Sequence, residues 1–313
     1  MQVSIRNLTA WLLAKSFIIS GLAHSTKKKI LNGEYILSIY FHNPSKEEFE
    51  SCVKWLKENN FLFLSTSDLE CIMQGKLPFP KGGVLLTVDD GWESNEKNVV
   101  AIANKYEVPV TIFIATAPVE EGTFWWSFFL NGKQYLRSVS LTAMKKASNQ
   151  ERLLQLEKIK KEKPIKREAL TIEQIKKIAS SKYISIGGHT HTHSILTNCY
   201  EDEVRTEIQL SKQKLESWIG KEVGYFAYPN GDYGVREIQI LKESNYRLAF
   251  SIQEQYLTPD ALKEPYSIPR FCFVEGASFS ENICRLLGIW KFSRLRLKQS
   301  ISEQMRKYKP ILP

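Results

Sequence analysis

The chain has 313 residues, 43% hydrophobic and 25% charged, with no low-complexity tract or internal repeat, which excludes disordered and fibrous classes and fits one α/β domain with appendages. Its net charge of +9 is uneven: residues 131–170 hold 11 basic and 4 acidic side chains and residues 285–313 hold 8 and 1, so an acidic body carries two basic attachments. Five scattered cysteines (Cys52, Cys71, Cys199, Cys272, Cys284) with no CxxC spacing argue against a disulfide framework or zinc knuckle and favour a reducing compartment. No nucleic-acid-reading motif accompanies the basic segments, so no nucleic-acid partner is expected. An anionic membrane surface or a phosphate-bearing substrate suits them, as would two solvated helix faces.

In chain order, Leu8 to Leu22 is apolar but interrupted by Lys15 and too short to span a bilayer. Gly21-Leu22-Ala23 imitates a signal-peptide cleavage site, yet the stretch reads better as an amphipathic or core-packing helix, with a cytoplasmic, peripheral membrane location expected. Tyr35–Phe41 is a continuous apolar run, as in a strand buried on both faces. A helix over Lys46–Asn59, a short strand Phe61–Leu64, a helix capped by Ser67 and a strand Val84–Val88 follow. Next come a helix Asn95–Tyr106 and a strand Val108–Ala115. This alternation implies parallel pairing through crossovers. From Gly122 to about residue 170 an aromatic and then basic helical insertion breaks the pattern. Alternation resumes with Thr171 capping Ile172–Ala179, the strand Tyr183–Ile186, a helix Glu201–Ile219 and the strand Val223–Ala227. The helix Val235–Glu243 and the strands Arg247–Ile252 and Tyr266–Phe273 complete it. The expected division is an N-terminal helical segment (1–30), an α/β barrel (31–278) and a basic C-terminal helix (279–313).

Active-site groups of an α/β barrel sit at the C-terminal ends of strands, and two signals fall there. In Thr87-Val88-Asp89-Asp90-Gly91, adjacent carboxylates on a regular strand would point to opposite faces, but at a strand end beside a glycine both can turn into one site. Holding two carboxylates close is costly unless a cation neutralises one of them. In Gly188-His189-Thr190-His191-Thr192-His193, the spacing of four puts His189 and His193 on one side and turns His191 elsewhere. One carboxylate and two imidazoles leave open positions for water and substrate, as a catalytic divalent metal needs.

TVDDG followed by HTHTH resembles the polysaccharide deacetylase family (NodB homology domain, carbohydrate esterase family 4), over about Ile36 to Phe273. Val88 stands where the family usually has an aromatic residue. The resemblance implies a distorted (β/α) barrel of about seven strands, Asp89 as catalytic base, and Asp90, His189 and His193 as metal ligands. It also implies Phe226-Ala227-Tyr228-Pro229-Asn230-Gly231 as the groove-lining motif that offers a backbone N–H to the oxyanion. The family's usual orienting arginine is missing there, and Arg270 is the best substitute. No histidine follows His193, whereas Tyr40-Phe41-His42 is similar to the early acid motif of the poly-N-acetylglucosamine deacetylase branch, so His42 is assigned as the acid. Tyr228, Pro229 and Asn230, with Trp92, Trp125 and Trp126 as flat faces for sugar rings, are the expected substrate contacts.

The expected reaction is metal-dependent hydrolysis of an N-acetyl group from an amino sugar of a cell-envelope polysaccharide or its lipid-linked precursor. Zinc is the first choice of metal; cobalt, nickel or iron would accept the same ligands. The rivals are a deformylase or other N-deacylase of a lipid-linked amino sugar and a silent glycan-binding barrel.

Overall fold

The computed structural model describes residues 5–131, 140–160 and 166–291. Eight strands form one sheet: β1 Leu37–Phe41, β2 Leu62–Leu64, β3 Gly83–Val88, β4 Val110–Ile114, β5 Ile184–Gly188, β6 Tyr225–Ala227, β7 Leu248–Phe250 and β8 Phe271–Cys272. Every pairing between them is parallel, in the order β7-β6-β5-β4-β3-β1-β8, with β2 paired to the early half of β3. Ser251 N–H donates to Ile268 O and Ile268 N–H to Ala249 O, both at 2.9 Å. These bonds tie β7 to the segment leading into β8, so the sheet curls back on itself as a distorted (β/α) barrel. β1, β3 and β4 are buried at every position, as their unbroken apolar runs require when both faces are covered.

Helix starts follow local chemistry. Ser45 with Glu48 and Thr171 with Gln174 form reciprocal capping boxes at the helices Lys46–Glu58 and Ile172–Ala179. One expected cap is corrected: Ser65, not Ser67, starts the helix Thr66–Met73, because Ser65 and Asp68 satisfy each other's backbone N–H. The last strand is also shorter than expected, since Pro269 within the expected run has no N–H to give the ladder.

The expected N-terminal helix is a pair, Ile5–Ile19 and Leu22–Leu31, broken where Gly21 adopts φ 78°. Ala10 and Ala14 are buried, and the first helix packs on Phe279–Leu286, with Arg6 reaching Glu281 at 3.1 Å. No described helix is long and apolar enough to cross a membrane. The C-terminal basic helix is seen over Phe279–Leu286; its residues 292–313 lie outside the described residues. The insertion is three short helices, Trp125–Asn131, Leu141–Lys146 and Asn149–Lys160, rather than one long one, and residues 132–139 and 161–165 lie outside the described residues. It has its own apolar cluster of Trp125, Phe128, Phe129, Met144, Leu156 and Ile159. It rejoins the barrel where Leu170 N–H donates to Gly91 O.

Candidate active site

Because all strands run parallel, their C-terminal ends open on one face, where a cleft of about 630 Å³ lies. β3 ends at Val88, and Asp90 and Gly91 then take φ 76° and 87°, so the chain reverses and both carboxylates enter the cleft. A side chain at Gly91 would meet Ile114 at 3.0 Å as well as an unfavourable φ, so only glycine fits the turn.

The two carboxylates have separate partners. Arg270, fully buried, grips Asp89 with Nη1 to Oδ1 at 2.7 Å and Nη2 to Oδ2 at 2.8 Å. Nη1 also donates to Thr87 Oγ1 and Nε to Ser251 O, and the guanidinium lies 4.7 Å from the centre of the Tyr40 ring. Arg270 therefore bridges no surface acids; it orients Asp89 by a two-point clamp.

Asp90 Oδ1 lies 3.1 Å from His193 Nε2 and 3.4 Å from His189 Nε2, and the three ligand atoms fall within 4.8 Å of one another. His189 Nδ1 is 2.7 Å from Ala227 O, which accepts only, so Nδ1 carries the proton and Nε2 keeps its lone pair in the neutral ring. Asp90 Oδ1 and His189 Nε2 are then two acceptors facing each other, an arrangement a cation between them relieves. Trp92 Nε1–H donates to Asp90 Oδ2 at 3.0 Å and leaves Oδ1 for that role. Burial pushes Asp90 up, but the close imidazoles of His189 and His193 and the nearby His42 outweigh it and hold the carboxyl well below its usual range. Burial pushes His193 down to about 4 against the pull of Asp90. A carboxylate beside two imidazole nitrogens is a donor set that fits a divalent metal. His191 is turned away, with Nδ1 2.8 Å from Thr116 Oγ1.

His42, at the end of β1, lines the cleft edge-to-face with Tyr40 at 5.4 Å. Its backbone is fixed on both sides: its N–H donates to Glu275 Oε1 at 2.9 Å, and Asn95 Nδ2 donates to its carbonyl at 3.1 Å. Tyr228, Asn230, Trp92 and Trp125 line the cleft as well. Tyr228 does so as wall, its hydroxyl donating to Tyr266 O and its ring stacked on Tyr233. Pro229 is buried and absent from the lining, a correction that follows from its place at the start of a tight turn.

A model of the family described as polysaccharide deacetylase matches residues 76–249, more than half the chain. The chain belongs to this family. A poly-beta-1,6-N-acetyl-D-glucosamine N-deacetylase of Staphylococcus aureus is 27% identical over 249 residues, covering 76% of this chain and 73% of that one. The Streptococcus pyogenes deacetylase PplD, solved with acetate, superposes with a TM-score of 0.60 at 19% identity, over 81% of this chain and 98% of that one. IcaB from Ammonifex degensii gives 0.60 at 17% identity, over 82% and 98%. Family membership makes the protein a polysaccharide N-deacetylase, a hydrolase of linear amides, and the family is metal-dependent.

Trp126, one of the three tryptophans expected to face sugar rings, lines the cleft of this deacetylase, and two further residues, Lys145 and Glu207, support the site without having been singled out in the sequence. Trp126, half-exposed, stacks on Phe124 at 4.7 Å and stands edge-on to His193 at 4.6 Å. Lys145 of the insertion lines the cleft and donates to Asn230 Oδ1 at 3.2 Å. Lys145 carried no local signal, since its place depends on how the insertion folds back. Glu207 had one: it falls in the buried stripe Val204, Ile208, Ser211, Leu215 of its helix, where a carboxylate is out of place unless it serves something.

Proposed function

We propose that this deacetylase removes N-acetyl groups from an amino-sugar polymer of the cell envelope, of the poly-N-acetylglucosamine class named for its Staphylococcus aureus relative. The observation that carries this reading is a base, Asp89, clamped by buried Arg270 beside the Asp90–His189–His193 donor set, with His42 lining the same cleft. Asp90, His189 and His193 would hold the ion, with zinc our assignment from the nitrogen-rich set. When bound, a divalent cation lowers the pKa of a coordinated water and polarises the acetamide carbonyl. Asp89 accepts the proton of the attacking water while Arg270 keeps both its oxygens in place. The turn after Tyr228 supplies the backbone donor for the oxyanion: Tyr228 N–H is spent on Phe250 O and Pro229 has none, so the role falls to Asn230. His42 protonates the departing amine, without which the sugar nitrogen is a poor leaving group. Acetate and a free amino sugar result.

The test is an acetate-release assay on poly-N-acetylglucosamine and on lipid-linked amino sugars, with formate release scored in parallel. Asp89→Asn should lose on the order of 10²–10⁴-fold in kcat with its metal content unchanged. Acetyl turnover absent in the wild type on every substrate would favour a binding protein, and formate release would favour the deformylase reading.

One observation favours a second feature, contact with an anionic membrane where lipid-linked substrate would be met. Residues 1–33 include Arg6, Lys15, Lys27, Lys28 and Lys29 and no acidic residue, and Leu8, Leu12, Leu13 and Ile19 of the first helix are exposed. Cationic side chains around an exposed apolar face suit a bilayer surface. We place the protein on the cytoplasmic face, in keeping with its five free cysteines. Full-length protein should sediment with vesicles containing phosphatidylglycerol at low salt, and less so as Ile19→Ser; no sedimentation would rule the contact out.

A further inference from the structure

The loop carrying the two histidine ligands is held in backbone that its residues disfavour. Thr190 has φ 65° and His193 φ 53°, a region rare for side-chain-bearing residues and rarest for β-branched ones. Such backbone persists only where its surroundings over-determine it.

The surroundings come from two sides. From the barrel, buried Glu207 accepts from His191 N–H at 2.9 Å, from Thr192 N–H at 2.8 Å and from the Thr192 hydroxyl at 2.6 Å. From the insertion, Arg152 donates Nη1 to His193 O at 3.1 Å and, more loosely, to Thr192 O at 3.4 Å. Its Nη2 donates to Thr192 Oγ1 at 2.9 Å and to Asn149 Oδ1 at 2.6 Å. Arg152 is only 3% exposed, its guanidinium lies 5.2 Å from the centre of the Trp125 ring, and among the described residues no carboxylate is within ion-pair distance. Its charge is offset through the Thr192 hydroxyl, which it shares with Glu207. Burying an arginine without a direct counter-ion is costly, and a helix that merely covered the barrel would gain nothing from it.

We infer that Arg152 is a positioning residue that locks His193 in its ligating pose, so that metal affinity depends on docking of the insertion against the barrel. The inference rests on the reading of Asp90, His189 and His193 as the metal set. The clamp touches His193 and its neighbour Thr192 but neither Asp90 nor His189. Partners that orient metal ligands from behind typically matter 10–100-fold in affinity.

The experiment is zinc titration of the full chain against a colorimetric chelator, with zinc dissociation rates, for wild type, His189→Ala, Arg152→Ala, Thr192→Val and Val53→Ala. Thr192→Val keeps the shape of the side chain and removes only the shared hydroxyl. Val53→Ala, on the buried face of the helix Lys46–Glu58, is the control for general destabilisation. Arg152→Ala should bind zinc roughly 10–100-fold more weakly and release it faster, Thr192→Val should show a smaller loss in the same direction, and Val53→Ala should bind as wild type does. If Arg152→Ala fails to fold, Thr192→Val decides. Wild-type affinity in Thr192→Val and Arg152→Ala, or an equal loss in Val53→Ala, would overturn the clamp. A wild type that binds no zinc, or a His189→Ala that binds it equally well, would instead overturn the metal-site reading.

Discussion

The floor of the cleft and its roof are built on different principles. The floor, Asp89, Asp90, His189 and Arg270, consists of side chains at strand ends, each fixed by partners from distant parts of the chain; Arg270 alone joins Thr87, Asp89 and Ser251. The roof belongs to the insertion, which has a small apolar cluster of its own and meets the floor through a few side chains: Trp126 against His193, Lys145 against Asn230 and Arg152 against the histidine loop. The contrast between two buried arginines is instructive. Arg270 neutralises an acid directly and fixes Asp89, the proposed base, whereas Arg152 serves backbone carbonyls and a hydroxyl and so holds shape. In the proposed mechanism the chemistry resides in the floor, and the roof shapes the floor and the way into it.

The sharpest way to break this division is at His42, a floor residue by position whose side chain faces the cleft. His42→Gln should lower kcat on the order of 10²–10⁴-fold with KM little changed, measured by acetate release on polymer. A loss confined to KM would move His42 from the chemistry to substrate binding. Next in size is Arg270→Met, which leaves Asp89 buried without its partner. Removing one member of a buried pair costs about 3–5 kcal/mol, so a fall in Tm of the order of 10 °C is expected alongside loss of turnover, both read on the same preparation. A variant with unchanged Tm would mean that the Asp89 pocket relaxes or takes up water, and the floor would be less rigid than described.

Most of the floor was legible in the sequence because strand-end chemistry leaves compact signatures. Asp89-Asp90-Gly91 needed only the glycine to explain how adjacent carboxylates converge, although Asp90 itself also adopts positive φ. The helices Glu201–Ile219 and Val235–Glu243 have the limits their periodicity gives. Arg270 was harder to read, since it lies 181 residues from Asp89 and only barrel closure brings the two together. Arg152 was illegible: it stands among lysines and glutamates in a segment that reads as solvated, and its burial follows from tertiary packing that no local pattern encodes. Ser67 was misplaced because the serine two positions earlier has the better partner in Asp68.

Trp126 is the residue on which floor and roof meet, and the smallest expected effect therefore discriminates best. Its ring stands edge-on to His193 while one side rests on Phe124, and its half-exposed remainder borders the cleft. If it belongs to the roof, Trp126→Ala removes an apolar face for a sugar ring, and KM for polymer should rise about 2–10-fold, the range of a single aromatic contact, with kcat and zinc affinity close to wild type. If instead its edge is what keeps His193 in place, zinc affinity should fall and KM should stay put. Parallel zinc titration and steady-state kinetics on this one variant separate the two, because sugar stacking acts only when substrate is bound whereas support of His193 acts in its absence. The Arg152 clamp already holds His193 from the backbone side, so the first outcome is the one expected.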